Sequence, residues 1–414
     1  MKTKTFGSIF ILAGTTIGAG LLALPLSSAG IGFLPTVVLI IISYFINILA
    51  SLILLETLSA VPGDEHLHFA SIYAKTLGKW GEFAFMIAFV SLMYAIVSAY
   101  LAGGSDIILV LTQKVGLPIT HTTATILFIS VLGVIVCAGT QVVDYANRYI
   151  MMLKGVIFAI LLVYFIPSIT LINILDFKDN LRYFPIAIPI IFLIFGYQLV
   201  LPTLYLYLER DNDAMKKTIY LGSFISVVVF ILWLLVSMGG IPRFGQLSFK
   251  SFLSQYSTSD IGDFFDMVGS LQSSKLARDA MNLFSNLALV TSFLGIALAL
   301  KEYMADTKLV RHTKNTQLWA ICFTFIPPFC VVALKLSLFQ TALNYAAAML
   351  VVVLIFLPIL MVIATRRKVA EGIWQAGYKT PGGNFSLLFL SCTGLAIFVL
   401  SLLATINYLP SFPF

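Results

Sequence analysis

The sequence predicts an all-α polytopic membrane protein with eleven transmembrane helices, a 5+5 inverted repeat with broken helices 1 and 6, and one extra C-terminal helix. Three observations lead there. The 414 residues are 60% hydrophobic and 10% charged, with a mean hydropathy of +1.01. A soluble domain has about 45–50% apolar and about 25% charged residues. Apolar runs of about 20 residues, the length that crosses a hydrocarbon core, recur eleven times. Finally, Gly and Pro interrupt the first and sixth runs, near Gly18 and Gly196, at matching places in two sets of five. An odd number of spans per set turns the second copy over, which is the layout of an inverted repeat.

In chain order the spans read 6–31, 33–60, 83–111, 122–140, 149–172, 183–208, 218–241, 280–304, 317–339, 341–364 and 384–408. They form a single domain, 1–414, whose two repeats are 6–172 and 183–364, with 384–408 as the additional helix. The N-terminal MKTKTF before an apolar run imitates a signal peptide. The run is too long for an h-region and no A-x-A site ends it, so it is read as a retained first span. Only a short turn around Gly32 separates the first two spans. Between the second and third, Asp64, Glu65, His66 and His68 precede SIYAKTLGKW, which reads as a short surface helix. The longest connection, 242–279, holds FKSFLSQY and DFFDMVGSLQSSKL, amphipathic pieces that read either as a cap over an external vestibule or as a loose loop. With the N-terminus inside, 17 Lys and Arg fall on the cytoplasmic side and 8 on the other. That bias sets the N-terminus in the cytoplasm and, with an odd count, the C-terminus outside.

Composition also excludes. The net charge of +7 comes from loop Lys and Arg residues and points to membrane lipid, not to nucleic acid. Cys137, Cys322, Cys330 and Cys392 all lie in apolar runs without a C-x-x-C pair, so neither zinc nor a disulfide framework is indicated, and they read as buried thiols. His66 and His68 are read as solvated, and no metal or cofactor is expected. A phosphate-binding G-x-x-x-x-G-K-[ST] loop is absent. An intramembrane enzyme would need convergent acid, base or nucleophile within the spans, and histidine is missing from their interiors. What remains is a secondary transporter, or a non-transporting sensor of the same architecture.

The first break lies in ILAGTTIGAGLLALPLSSAGIGF. Gly14, Gly18 and Gly20 crowd its middle, beside Thr15 and Thr16, and each helical glycine costs up to about 1 kcal/mol. Gly14 and Gly18 also satisfy the packing motif G-x-x-x-G. Unwound backbone at membrane depth is tolerated only where protein or a wet cavity satisfies it. The amides of Ile17, Gly18, Ala19 and Gly20 would then head a half-helix that suits a carboxylate. The carbonyls of Ala13 and Gly14 would end the other half and suit an ammonium. The second break reads Ile194-Phe195-Gly196-Tyr197-Gln198-Leu199-Val200-Leu201-Pro202, with Gly196 and Pro202 as breakers. Phe195, Tyr197 and Gln198 flank it and are expected to shape a side-chain pocket. An ordinary proline kink is the alternative. Together the breaks describe a site for a zwitterionic small molecule.

Tyr94 and Ser98 in the third span share a face, and Asn286 with Ser285 in the eighth offers further polar lining. Tyr100 is read as an interface-belt tyrosine. Thr291 and Ser292 lie on the eighth span as well. Charges inside spans are functional hypotheses by default: Lys154 enters the fifth span by about a turn, while Glu56, Asp106 and Lys335 lie near span ends and read as interfacial.

AGTTIGAGLLALPLSSAGIGF, MYAIVSAYLAGG, NRYIMMLK, FSNLALVTSFLGIALALKEYMAD and QAGY at Gln375–Tyr378 together resemble the hydroxy/aromatic amino acid permeases of the amino acid–polyamine–organocation superfamily. The resemblance runs over essentially the whole chain. It implies import of an aromatic amino acid, tyrosine first, by proton symport across the bacterial inner membrane; tryptophan, phenylalanine or a hydroxy amino acid are the other substrates it allows. It also implies a coupling site between helices 1 and 8, at Ala13, Gly14, Thr291 and Ser292, where Lys154 supplies the cation in proton-coupled members. The helix 6 motif of that family resembles S-F-G-F-H-G-x-x-P-S; here Gln198 stands at the histidine position, followed by Leu199 and Val200.

Overall fold

The structure is a computed structural model that describes residues 2–18, 20–62, 69–176, 181–246, 248–251, 275–311, 313–334 and 339–410. Regular structure among these residues is entirely helical. The broken first segment is α1 (Lys2–Thr16) and α2 (Gly20–Ser28), bent by 52°. There follow α3 (Phe33–Ala60), α4 (Phe69–Lys114), α5 (His121–Cys137), α6 (Thr140–Phe165) and the short α7 (Leu171–Ile174). The second broken segment is α8 (Phe184–Leu193), a 3₁₀ turn (Gly196–Val200) and α9 (Leu201–Tyr207). The rest is α10 (Asn212–Gly240), α11 (Lys275–Asp306), α12 (Lys308–Arg311), α13 (Thr316–Ala333), α14 (Phe339–Val351), a π turn (Val352–Phe356), α15 (Leu357–Ala370) and α16 (Gly383–Thr405).

Among the described residues nine helices are long and apolar enough to cross a membrane, ten if the bent pair counts as one. The run expected at 122–140 is α5, whose 17 residues are short for a span. The chain is a multi-pass membrane protein.

The short amphipathic helix expected after the second span is present. Residues 69–77 run helically into α4 and are divided from it only at Gly78, whose φ of 73° favours glycine. One face of this piece packs inward. Ile72 and Tyr73 are fully buried, the Tyr73 hydroxyl donates to the Val353 carbonyl at 3.1 Å, and Lys368 Nζ donates to the Lys75 carbonyl at 2.5 Å. Tyr73 stacks on Phe85 at 4.5 Å and Phe85 on Phe89 at 5.2 Å, which anchors the piece to α4. Residues Asp64 to His68 and most of the 242–279 connection, with Lys335, lie outside the described residues.

Two expectations change. Glu56 is not interfacial: it is 5% exposed and forked by Arg366 at 2.7 and 3.0 Å, and it accepts the Thr380 amide at 2.9 Å. A buried carboxylate needs such pairing; here it ties α3 to α15. Nor are the thiols buried as a set. Cys137, Cys330 and Cys392 are exposed, because α5, α13 and α16 turn much of their surface outward. Asp106 meets His121 at 3.3 Å where α4 and α5 adjoin.

Candidate functional site

The first break is built by glycine, but not through left-handed backbone. Gly14 and Gly18 have ordinary φ, and so has Gly196. Their use is close approach. A Cβ on Gly18 would stand 3.4 Å from Ser292 Oγ, one on Gly14 3.8 Å from the Met151 methyl, and one on Gly20 3.0 Å from Ile194 Cγ2. The two breaks therefore touch, Gly20 against Ile194, with α11 and α6 on either side.

At the break α1 stays hydrogen-bonded one residue past its end. The Ile17 amide donates to the Ala13 carbonyl at 3.0 Å and the Gly18 amide to Thr16 at 2.9 Å. Of the amides expected to head the second half-helix, those of Ile17 and Gly18 are thus already taken. α2 starts at Gly20, and Ala19 lies outside the described residues. The hydroxyls of Thr15 and Thr16 both donate to the Leu12 carbonyl, at 2.8 and 2.7 Å, and close off the last turn of α1. The Ile17 carbonyl is turned out. Lys154 Nζ donates to it at 3.4 Å.

That lysine stands out by its surroundings. α6 is the least buried of the long helices, yet Lys154 is 5% exposed. Its ammonium sits at the C-terminal, negative end of the α1 dipole, where a cation is favoured. The Ala13 carbonyl is held by Ile17, so the group offered to the ammonium lies four residues later than expected.

The second break works through side chains. Phe195 leaves the helix (φ −95°, ψ 27°), a 3₁₀ turn runs to Val200, and Pro202 sits in the first turn of α9, where its missing amide costs nothing. Gln198 does not face the first break. Its Nε2 donates to Asn47 Oδ1 of α3 at 2.7 Å, it is 1% exposed, and its Oε1 has no partner among the described residues. The Tyr197 hydroxyl accepts from Ser51 Oγ at 3.2 Å, one turn along α3 from Asn47. Phe195 is fully buried edge-on against Phe230 at 5.4 Å.

A cavity of about 1990 Å³ opens beside the two breaks. Gly14, Thr15, Ile17, Gly18, Gly196, Tyr197, Lys154, Thr291 and Ser292 all line it. Toward the starts of α4 and α6 and the end of α11 the lining is charged, with Lys79, Glu82, Arg148, Glu302, Asp306 and Arg311, and we take this charged end as the mouth. Down one face of α6 the lining runs Asp144, Asn147, Met151 and Lys154, a helical spacing that leads from mouth to break. Thr291 Oγ1 donates back to Ala288 at 3.1 Å.

Tyr94 and Ser98 are elsewhere. They line a separate cavity of about 340 Å³ with Tyr345 and Thr405, and the Tyr94 hydroxyl donates to the Phe323 carbonyl at 2.8 Å. Asn286 lines neither cavity. The residue missed in the sequence is Tyr100. It is 7% exposed and lines the large cavity together with Ser292. A signal existed: Phe89, Met93 and Tyr100 fall at i, i+4 and i+11 on one face of α4, and Tyr94 and Ser98 on another. Among the described residues no cluster of His, Cys, Asp or Glu is suited to a metal ion.

Comparison with known proteins gives a consistent picture. The description "Tryptophan/tyrosine permease family" matches residues 1–401. Tyrosine-specific transport system 1 of Haemophilus influenzae is 30% identical over 411 residues, covering 98% of both chains. Tyrosine-specific transport system 2 of the same organism is 29% identical over 412 residues, covering 99% of both. Glutamine transporter 2 of Aliivibrio fischeri is 28% identical over 405 residues, covering 96% of this chain and 99% of its own.

Proposed function

Because this chain belongs to the tryptophan/tyrosine permease family, we propose that it is a secondary active transporter that imports an aromatic amino acid, tyrosine foremost, by proton symport. Aromatic amino acid transport follows from the family and from the tyrosine transporters that resemble the chain from end to end. It is a transporter, not an enzyme, and it resides in a bacterial membrane.

The observation that carries the mechanism is the first break: a helix end whose Ile17 carbonyl meets the Lys154 ammonium, at the inner limit of a large cavity. A substrate carboxylate is read at the start of α2, where Gly20 opens the half-helix. Its ring is read between Tyr100, Tyr197, Leu199 and Ser292, which line that part of the cavity. Lys154 is the coupling group. Carbonyls favour its charged form and desolvation opposes it. A conformational change that alters its solvation moves the balance, and each pKa unit corresponds to about 1.4 kcal/mol. Alternation then needs the cavity to close at its charged mouth and open at the other end. We read the chain as one domain, 1–414, with eleven spans, α5 among them, in two inverted repeats (6–172 and 183–364) and an extra helix. The reading sets it in the bacterial inner membrane, with its N-terminus in the cytoplasm and its C-terminus in the periplasm.

Uptake into proteoliposomes tests this. Labelled tyrosine should accumulate under an imposed pH gradient, without sodium, and be displaced by tryptophan and phenylalanine. Glutamine is the informative competitor, since one relative bears that name. Glutamine uptake without tyrosine uptake would replace the aromatic reading, and sodium dependence would remove the proton.

A further inference from the structure

Arg243 follows α10 and is buried, its side chain 3% exposed. An arginine taken out of water needs hydrogen-bond partners, and the described residues supply four such bonds. Its Nε donates to the Ala29 carbonyl at 3.1 Å and its Nη2 to the Gly30 carbonyl at 2.5 Å. Both carbonyls lie just past the end of α2. Nη1 donates to Asp176, to the carboxylate at 3.0 Å and the carbonyl at 3.4 Å. The planar fork reaches two partners at once, which a lysine cannot do. The charge also stands at the negative end of the α2 dipole.

The position matters as much as the bonding. α2 begins at the break and runs away from the charged mouth of the cavity, so Arg243 holds the end opposite that mouth. Asp176 follows α7 by one turn residue. α7 is fastened to the last turn of α10: the Thr170 amide and Asn173 Nδ2 both donate to the Gly239 carbonyl, at 3.0 Å each. A Cβ on Gly239 would meet Ile169 Cγ2 at 3.0 Å, so the two are in close contact. One guanidinium thus joins the ends of α2, α7 and α10. None of the three groups lines the cavity.

We propose that Arg243 is a positioning residue of the transport cycle: it latches the far end of α2 onto Asp176 and keeps the cavity shut on that side while the charged mouth is open. It acts through α2, whose other end opens the first break, and it touches no substrate. Opening the far side requires α2 to leave Asp176, so the latch must break once per cycle. The inference rests on the transport reading.

The test is side-resolved thiol labelling, which needs no transported substrate and so stands or falls apart from that reading. Val200 lines the cavity and serves as a reporter, Val200→Cys, with the four native cysteines replaced. An impermeant maleimide is applied to right-side-out and inside-out vesicles of the full chain. With Arg243 present the reporter should react from the mouth side. Arg243→Gln should raise labelling from the far side by about tenfold, the change in population that about 1.4 kcal/mol produces. Asp176→Asn, which leaves the two α2 carbonyls on the arginine, should shift it the same way by less. In uptake assays both should change kcat more than KM. Unchanged far-side labelling in a folded Arg243→Gln protein overturns the proposal. So does loss of the folded protein in both variants, since a releasable latch must leave the fold intact.

Discussion

The two breaks stand side by side and are made differently. The first is a backbone device. Gly14, Gly18 and Gly20 let neighbours come close, the threonine hydroxyls fold back onto Leu12, and the free Ile17 carbonyl meets a lysine from another helix. The second is held by its side chains. Gln198 and Tyr197 dock on Asn47 and Ser51 of α3, and Phe195 packs on Phe230. A break made by glycine leaves main-chain charge to be used, whereas one made by a 3₁₀ turn consumes its side chains in holding itself. This difference is why we propose recognition of charged groups at the first break and of shape at the second.

The largest effect should come from filling the first break. Gly18→Leu adds four carbons where the first already stands 3.4 Å from Ser292 Oγ. Overpacking costs about 1–3 kcal/mol, and here the added volume also takes up cavity. Binding of tyrosine should fall by at least about 100-fold, near 2.7 kcal/mol, with folding retained; equilibrium binding to purified protein measures it. Gly196→Ala makes the contrast sharp. Its Cβ would meet Leu350 at an ordinary 3.6 Å, so binding should change by less than about threefold. Equal losses at the two glycines would break the distinction between the breaks.

Next in size is Lys154. Lys154→Ala removes the cation from the end of α1 and should abolish accumulation driven by a pH gradient, while exchange of internal for external substrate persists. Lys154→Arg keeps a charge that does not leave in a protein, and should also fail to accumulate. Proteoliposomes under a pH gradient, compared with counterflow, separate the two activities. Undiminished accumulation by Lys154→Ala would return this lysine to a purely structural role.

Much of this was legible in the sequence, and the exceptions have physical reasons. Apolar runs gave every long helix, because lipid leaves the backbone no other partner. The position of both breaks, and Lys154 as the charge within a span, could be read from Gly18, Gly196 and one charge in an apolar run. What periodicity alone does not give is rotation. Gln198, whose place beside the break suggests the pocket, faces α3; Tyr100, which reads in the sequence as an interface-belt tyrosine, lines the large cavity, while Tyr94 and Ser98 do not. A helix shows which residues share a side, not which side meets the cavity. Nor does it show that Glu56 has a partner 310 positions away in Arg366.

Gln198 gives the third prediction. Gln198→Leu leaves Asn47 Oδ1 buried without its donor, which costs about 1–3 kcal/mol. Thermal unfolding should show that loss, and Asn47→Leu added to it should recover part. The order of tyrosine, phenylalanine and tryptophan in competition assays should stay as in the parent chain. A changed order would mean that Gln198 turns toward substrate in some state, and the second break would then share recognition with the first.

The smallest effect discriminates between the two faces of α4. Tyr94 and Tyr100 lie six residues apart, about 240° around the helix. The Tyr94 hydroxyl donates to the Phe323 carbonyl at 2.8 Å, and Tyr100 lines the large cavity together with Ser292 and Gly18. Tyrosine-to-phenylalanine removes one oxygen in each case, and the net cost of one lost bond is about 0.5–1.5 kcal/mol. Stability should therefore drop by about that much in Tyr94→Phe. Transport should respond the other way round. Tyr100 borders the large cavity, so Tyr100→Phe should raise KM for tyrosine about three- to tenfold and spare phenylalanine. Tyr94 borders only the small cavity, so Tyr94→Phe should leave both KM values unchanged. The pair isolates position from chemistry, because the same atom is lost from the same helix. If Tyr94→Phe altered KM as much as Tyr100→Phe, the small cavity would belong to the substrate route, and the wall opposite the two breaks would have to be redrawn.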